Sequence, residues 1–166
     1  MPEVSSVATQ HVIFSSESDY EAAIDQVITS AERTLHIFDT DFTTGGYNTA
    51  KRSEILRSFL MLNRSNRLVI ILHETDHLTR HCPRLMRLLQ THSHAITIHQ
   101  TQEHGRIASD PLVIADAKHY VHRFHANNAR ALFAVNDPTG GRQLDDRFEQ
   151  LQEASAPAVF ADTLGL

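Results

Sequence analysis

Residues 109–137, SDPLVIADAKHYVHRFHANNARALFAVND, carry the sequence pattern that decides the fold. Two apolar runs, 112–116 and 119–124, are separated by only two residues, which is typical of a β-hairpin. A third apolar run at 131–135 predicts another strand. A helix is predicted over 137–155, because a proline near its start suits the first helical turn. The stretch therefore predicts a hairpin, a strand and a C-terminal helix.

Towards the N-terminus, helix-like and strand-like patterns alternate. Ser18 and Glu21 match a capping box, and apolar residues recur behind them at helical spacing. Residues 67–73 are almost entirely apolar, as in a strand that is covered on both faces. The predicted strands of this half are 11–14, 34–39, 67–73 and 95–101, and the predicted helices are 19–33, 49–64 and 83–92.

This order predicts an α/β fold with a mixed sheet flanked by helices, arranged β-α-β-α-β and then hairpin, strand and C-terminal helix. The alternating units imply parallel strands with right-handed crossovers, and the hairpin adds antiparallel pairs. We expect one domain over residues 1–166, with residues 1–10 flexible and the apolar tail 157–166 packed on the body.

Composition narrows the class of protein. The chain has 166 residues with 20 acidic and 15 basic side chains, and this excess of acid is unlike a general nucleic-acid binder. No apolar run approaches the ~20 residues of a membrane span, and residues 1–10 lack the pattern of a secretory signal. The single cysteine, Cys82, fits a reducing compartment. We therefore expect a cytoplasmic protein without a nucleic-acid or membrane partner; its 12 histidines make metal or phosphate chemistry worth examining.

The order of elements, together with 109–116, resembles one half of the phospholipase D-like superfamily fold. In that superfamily an HxKxxxxD motif lies on a strand that leads into a hairpin, followed by a further strand and a terminal helix. The chain also resembles uncharacterised bacterial proteins of the same general fold that have no assigned activity. The resemblance covers the whole chain and rests on pattern and order.

The motif is degenerate in this chain. If Asp116 is the motif's aspartate, Ser109 stands at the histidine position and Pro111 at the lysine position. The resemblance implies a histidine nucleophile that forms a phosphohistidine and a lysine that holds the phosphate oxygens. Proline offers neither charge nor N–H, and a serine nucleophile would need an adjacent base that the sequence does not place. The usual chemistry of the superfamily is therefore not expected, since a fold does not carry a function without its site.

Candidate ligand-binding residues follow from strand ends. Asp39 and Asp41 follow one predicted strand and His73 ends the next, and ligands of open α/β sheets bind beyond the carboxyl ends of strands. The resemblance implies that further residues lie near this region: Ser109, Asp110, Arg123 and His125. Together these side chains could bind a small polar or phosphorylated ligand. The alternative is structural, with Asp39 or Asp41 capping the next turn and Arg123 paired to it.

His73 and His77 are weak candidates for a zinc site, which is not expected. Residues 73–77, HETDH, match H-E-x-x-H, but this pattern makes a zinc site only when both histidines lie on one helix. His73 ends a predicted strand, which separates it from His77. The sequence therefore predicts no metal and no cofactor.

Three functions remain open at this point. The first is a non-catalytic ligand-binding or regulatory domain of phospholipase D-like fold. The second is a phosphoester hydrolase with a substituted active site that uses His73 or His125. The third is an interaction module that acts with a neighbouring enzyme. The resemblance also implies a homodimer, because in the superfamily two halves meet across a two-fold axis to form the active centre.

Overall fold

The computed structural model describes residues 8–161. Residues 1–7, most of the segment predicted to be flexible, lie outside the described residues, as does 162–166 at the end of the predicted tail.

The chain folds into a mixed α/β structure, so the predicted fold class is confirmed. The helices are α1 (Glu17–Ser30), α2 (Ala50–Leu62), α3 (Asp76–His81), α4 (Pro83–Thr91) and α5 (Pro138–Glu153), with a 3-10 turn at Glu103–Gly105. The strands are β1 (Gln10–Phe14), β2 (Thr34–Asp39), β3 (Arg67–Leu72), β4 (Ile96–Thr101), β5 (Leu112–Ala115), β6 (His119–His125), β7 (Asn128–Val135) and β8 (Ser155–Val159).

All eight strands form one sheet in the order β1-β7-β6-β5-β2-β3-β4-β8. Strands β2, β3 and β4 are parallel, as the alternating units predicted, whereas β5, β6, β7 and β1 pair antiparallel in succession. The predicted hairpin is the β5–β6 pair, in which Ala115 lies opposite His119.

The sheet separates two apolar cores, because side chains alternate between its faces. On β2, Leu35 and Ile37 point into the larger core, which is covered by α1, α2, α3 and α4. Phe38 points into the smaller core, where Phe148 of α5 packs. Two neighbouring residues of one strand therefore contribute to different cores. The same alternation decides on which face of the sheet each candidate site residue lies.

Three details differ from the sequence prediction. Helix α3 (Asp76–His81) was not predicted, because its residues are mostly polar. Helix α1 is capped by Ser16, whose Oγ accepts the Asp19 N–H at 3.1 Å, and not by Ser18. Both serines fit the capping pattern, and the earlier cap brings Glu17 into the first turn, where it reaches β6. The residues after α5 form the edge strand β8 beside β4, and edge positions tolerate a proline such as Pro157.

One end of the sheet gathers the ends of five strands. Because β5 runs antiparallel to β2, with Phe38 opposite Leu112, the start of β5 lies beside the ends of β2, β3 and β4. Strand β6 ends there too, since Leu112 is also opposite His122. We call this the carboxyl end of the sheet.

Candidate functional site

The aspartate of the degenerate motif is a structural residue. The Asp116 carboxylate accepts three backbone N–H groups, from Glu32 at 2.8 Å, Arg33 at 2.8 Å and Thr34 at 3.0 Å. Its φ of 55° places it in the tight turn between β5 and β6. It therefore joins that turn to the start of β2, at the end of the sheet opposite the carboxyl end.

The other two motif positions lie at the carboxyl end. The Ser109 carbonyl accepts the Ala126 N–H at 2.7 Å, and the Pro111 carbonyl accepts the Arg123 N–H at 2.8 Å. Pro111 is buried, while Ser109 is partly exposed. A hydroxyl and a pyrrolidine ring thus stand where the motif would supply an imidazole and an ammonium.

Ser109 lines a cleft of about 380 Å³ between the segment 104–110 and the last turns of α5. We call it the loop–α5 cleft, and its polar lining consists of His104, Ser109, Asp110, Arg147 and Gln150. The Gln102 N–H donates to the Ala154 carbonyl at 2.8 Å and so fixes the loop against the end of the helix. A Cβ at Gly105 would lie 2.9 Å from the same carbonyl oxygen, so this close approach requires glycine.

Asp110 is the electrostatic centre of the cleft. Its carboxylate receives the Arg147 guanidinium through Nε at 2.9 Å and through Nη2, and it lies 2.8 Å from Nε2 of His122. Burial opposes ionisation, but the hydrogen bonds and charges of His122 and Arg147 outweigh it and lower the pKa of Asp110 below its usual value. The carboxylate is therefore ionised at neutral pH, and it holds Arg147 at the cleft.

Asp39 and Asp41 both serve the turn that follows β2. The Asp39 carboxylate accepts the N–H groups of Thr40 at 2.8 Å and Phe42 at 3.0 Å, while Asp41 accepts the Thr43 N–H and hydroxyl. Burial raises the pKa of Asp39 to about 7 despite these backbone donors. Asp39 is 4% exposed, so its carboxylate supports the loop and does not face solvent.

Arg123 lies on the same face of the sheet as Asp39 but pairs with a different residue. Its guanidinium forms two hydrogen bonds with the Glu17 carboxylate, at 3.0 and 2.8 Å, and its Cζ lies 4.9 Å from the centre of the Tyr20 ring. It also donates to the carbonyls of His125 and Ala126. These contacts attach the first turn of α1 to the end of β6.

The two candidate histidines are placed very differently. His73 is buried, with Nδ1 2.7 Å from the Thr101 hydroxyl and Nε2 2.5 Å from the Ala108 carbonyl, so both ring nitrogens are used within the fold. His125 is exposed, and its Nδ1 accepts the Asn127 N–H at 3.1 Å in the β6–β7 turn.

The sheet therefore divides the seven predicted residues. Ser109 and Asp110 meet at the loop–α5 cleft, and His73 lies behind that loop through its bond to Ala108. Asp39 and Arg123 lie on the opposite face of the sheet, towards α1. Successive residues of a strand point to opposite faces, and the preceding residues, Phe38 and His122, point towards α5 and the cleft. Asp41 lies in the turn after β2, and His125 is the exposed last residue of β6.

The comparisons agree with this architecture. The sequence profile of a family described as a domain of unknown function, DUF7931, matches residues 16–160. The chain belongs to this family. A search of curated proteins gives no match.

Solved structures place this DUF7931 chain in the phospholipase D-like fold. The phospholipase D family member Nuc from Salmonella typhimurium has a TM-score of 0.67 at 13% identity, over 91% of this chain and 99% of that one. NucT from Helicobacter pylori has a TM-score of 0.62 at 12% identity, over 91% and 100% of the two chains. Phosphatidylserine synthase from Haemophilus influenzae has a TM-score of 0.60 at 12% identity, over 94% of this chain but 41% of the enzyme. The resemblance to this fold is confirmed.

The H-E-x-x-H residues of the DUF7931 chain do not share a helix. His73 follows β3 and has both nitrogens bonded, whereas His77 lies on α3 with its ring centre 5.0 Å from that of His81. Within residues 8–161, no group of three or more histidine, cysteine, aspartate or glutamate side chains is placed to hold a metal ion. In the same part of the chain, no helix has the length and apolarity to cross a bilayer.

Four residues that complete the cleft or support it were not among the predicted site residues. Arg147 and Gln150 come from α5 and His104 from the 3-10 turn, while His122 supports Asp110 from β6. The sequence does point to Arg147, because it directly precedes Phe148. Phe148 is one of the apolar residues that recur at helical spacing, so Arg147 borders the buried side of the helix. Its partner Asp110 is 37 residues away, and helical spacing does not show which segment the stripe covers.

Proposed function

We propose that this chain is a non-catalytic ligand-binding domain of phospholipase D-like fold, and that its ligand occupies the loop–α5 cleft. The observation that carries the proposal is the lining of that cleft. An open cavity of about 380 Å³ lies at Ser109, the histidine position of the motif, and Pro111 stands at the lysine position. The volume suits a small molecule.

The surroundings of the candidate histidines favour binding over catalysis. A general base must reach the proton that it removes, and an activated serine needs such a base within hydrogen-bond distance. His73 uses both ring nitrogens, and His125 is exposed at the end of β6 with its Nδ1 bonded to the Asn127 N–H. His104 and Ser109 both line the cleft, but in the described part of the chain they make no hydrogen bond with each other. The alternative of a hydrolase that uses His73 or His125 therefore has weaker support.

The chemistry of the cleft favours a polar ligand with an anionic group, such as a phosphate monoester. Arg147 uses Nε and Nη2 for Asp110, which leaves Nη1 available to a ligand. The Ser109 hydroxyl and the His104 ring are further donors in the lining, and the Gln150 amide can donate or accept. An arginine held by a carboxylate is preorganised for such an anion.

We further propose that the chain forms a homodimer through the carboxyl end of the sheet. Ile107, in the cleft lining, is 90% exposed, and Phe124 is 43% exposed with its ring 5.7 Å from that of His122. Large apolar side chains beside a polar cleft are typical of an interaction site. A two-fold axis there would place two clefts together.

We also propose that the chain forms one domain, lies in the cytoplasm and has no nucleic-acid partner. The profile match to 16–160 and the sheet that spans 10–159 support one domain over the chain. The single thiol of Cys82 is buried and free, which fits a reducing cytoplasm. The acidic net charge of −5 supports the absence of a nucleic-acid partner.

The test is an NMR titration with phenyl phosphate at constant ionic strength, in which ¹H–¹⁵N correlation spectra follow the backbone amides. We expect saturable shifts of the amides in 104–110 and 147–154, and we expect Arg147→Gln to weaken binding about tenfold through loss of a charged hydrogen bond. Arg142→Gln, at an exposed position earlier on α5, makes the same change in charge and should leave binding unchanged. Shifts that leave 104–110 unaffected, or equal weakening by both variants, would contradict the proposal.

A further inference from the structure

A second cavity lies on the other side of the sheet, between α2 and α4. It has a volume of about 330 Å³, and we call it the α2–α4 groove. Its polar lining comes from Ser53, Glu54 and Arg57 of α2, Arg84, Arg87 and Thr91 of α4, and His92 after α4. The lining residues of each helix recur at helical spacing, so each helix presents one continuous stripe to the groove.

The groove concentrates positive charge in an acidic protein. Several arginines elsewhere are paired with carboxylates, as in Arg52 with Asp25 and Arg123 with Glu17. Arg87 has no carboxylate partner among residues 8–161, and the nearest described contact of Arg84 is a backbone one, a 3.1 Å bond from Nη1 to the Asn48 carbonyl.

The one carboxylate in the groove neutralises little of this charge. Glu54 lies 3.8 Å from Nη1 of Arg57, and both side chains are more than half exposed. Exposed pairs at this spacing contribute little, because water screens them. Three guanidinium groups therefore face one carboxylate, in a protein whose net charge is −5.

His92 adds a buried polar group to the lining. The residue is 7% exposed, and its ring makes no hydrogen bond in the part of the chain that the structure describes. Burial lowers the pKa of His92, and the neighbouring His94 and Arg57 lower it further. A buried imidazole thus lies in the same lining as three guanidinium groups, with Glu54 as the carboxylate of that lining.

We infer that the α2–α4 groove binds a small phosphorylated molecule that carries at least two negative charges. Arginine forks match phosphate oxygens in bidentate geometry, and the Ser53 hydroxyl and the His92 ring lie in the same lining. A groove of this volume suits a small molecule, whereas a nucleic-acid duplex would need a longer basic surface. This site does not rest on the proposed function, because the loop–α5 cleft lies on the opposite face of the sheet.

The experiment is an NMR titration of the full chain with pyrophosphate, in which ¹H–¹⁵N correlation spectra follow the backbone amides. Sodium chloride is adjusted to hold the ionic strength constant. We expect saturable shifts at 50–57 and 84–92. Arg57→Ala and Arg87→Ala should each weaken binding about tenfold, since each removes a charged donor. Both side chains are exposed, so neither variant is expected to affect folding.

Matched controls separate the groove from a general effect of charge. Arg130→Ala removes an exposed arginine on β7 and should leave pyrophosphate binding unchanged. Glu54→Gln should strengthen binding several-fold by removing the groove's carboxylate, and Glu149→Gln on α5 should have no effect. The inference is overturned if the shifts at 50–57 and 84–92 do not saturate, or if Arg130→Ala weakens binding as much as Arg87→Ala does.

Discussion

At the scale of single residues, carboxylates that lie at or next to the ends of strands have unlike roles. The carboxylate of Asp116, at the motif position, accepts the backbone N–H groups of the three successive residues 32–34. Asp110 holds Arg147 at the cleft. Asp39 is buried beneath its own loop with no guanidinium bonded to it. A motif position that is retained can thus serve the fold alone.

The buried Asp39 makes stability depend on pH. Its folded pKa of about 7 lies above the unfolded value near 4, so the folded state binds the extra proton between these values. The stabilisation from this proton is present below about pH 4 and is lost as pH rises to about 7. From pH 5 to pH 7.5 we expect a loss of about 2–3 kcal/mol.

Urea denaturation of the wild type and Asp39→Asn at both pH values measures this loss. Histidines also titrate in this range, so the informative quantity is the free energy of unfolding of the wild type minus that of Asp39→Asn, which should be about 2–3 kcal/mol more positive at pH 5 than at pH 7.5. Equal differences at the two pH values would mean that Asp39 is ionised in the folded protein throughout.

The positions of candidate residues were predictable, but their partners were not. Strand ends placed Asp39 and His73 at the carboxyl end because hydrophobic runs mark where strands stop. The pair between Arg123 and Glu17 spans 106 residues, and a short-range pattern contains no information on such a contact. Face alternation from the hairpin could have separated Arg123 from Asp110, provided that the register was known.

At the scale of elements, α5 determines whether the cleft exists. It is the helix that covers the smaller core, where His36 stacks on Phe148 with ring centres 4.6 Å apart and also lies 2.5 Å from Asp145. Its N-cap, Asp137, accepts the Tyr120 hydroxyl at 2.7 Å. The predicted start at 137 is confirmed, while β8 was missed because Pro157 interrupts its strand-like pattern.

Gly141 allows α5 to approach the β5–β6 turn closely. A Cβ at this position would lie 2.2 Å from the Ala117 carbonyl oxygen and 2.7 Å from the Lys118 nitrogen. In an open helix, glycine to alanine stabilises by ~1 kcal/mol. Here we expect Gly141→Ala to destabilise the protein by about 2–3 kcal/mol through overpacking.

Thermal and urea denaturation measure whether Gly141→Ala raises or lowers the free energy of unfolding. Thr139→Ala, at an exposed position on the same helix, is the control and should change stability by less than about 0.5 kcal/mol. A Gly141→Ala protein as stable as the wild type would show that the turn and the helix separate easily.

At the scale of the whole molecule, the fold of the chain covers 99% of the Nuc structure. It corresponds to 41% of the phosphatidylserine synthase. The alternating strands and helices and the final hairpin were enough to predict this fold. The lining of the cleft was not predictable, because it depends on how the loop 104–110 meets α5.

The proposed dimer makes a prediction at this scale. Ile107→Glu should weaken self-association more than tenfold, because a charge would replace an apolar side chain at the centre of the interface. Leu62→Glu, an exposed position at the end of α2, should have no effect. Sedimentation velocity over a range of concentrations measures both, and equal behaviour of the two variants would place the interface elsewhere.

We propose that the degenerate motif leaves a binding cleft without phosphodiesterase chemistry. The most direct measurement follows bis(p-nitrophenyl) phosphate by ³¹P NMR during prolonged incubation with the purified chain. We predict that the diester signal persists and that no monoester signal grows above the protein-free reaction. A monoester signal that grows with wild-type protein, and that Ser109→Ala or His104→Ala abolishes, would contradict the account.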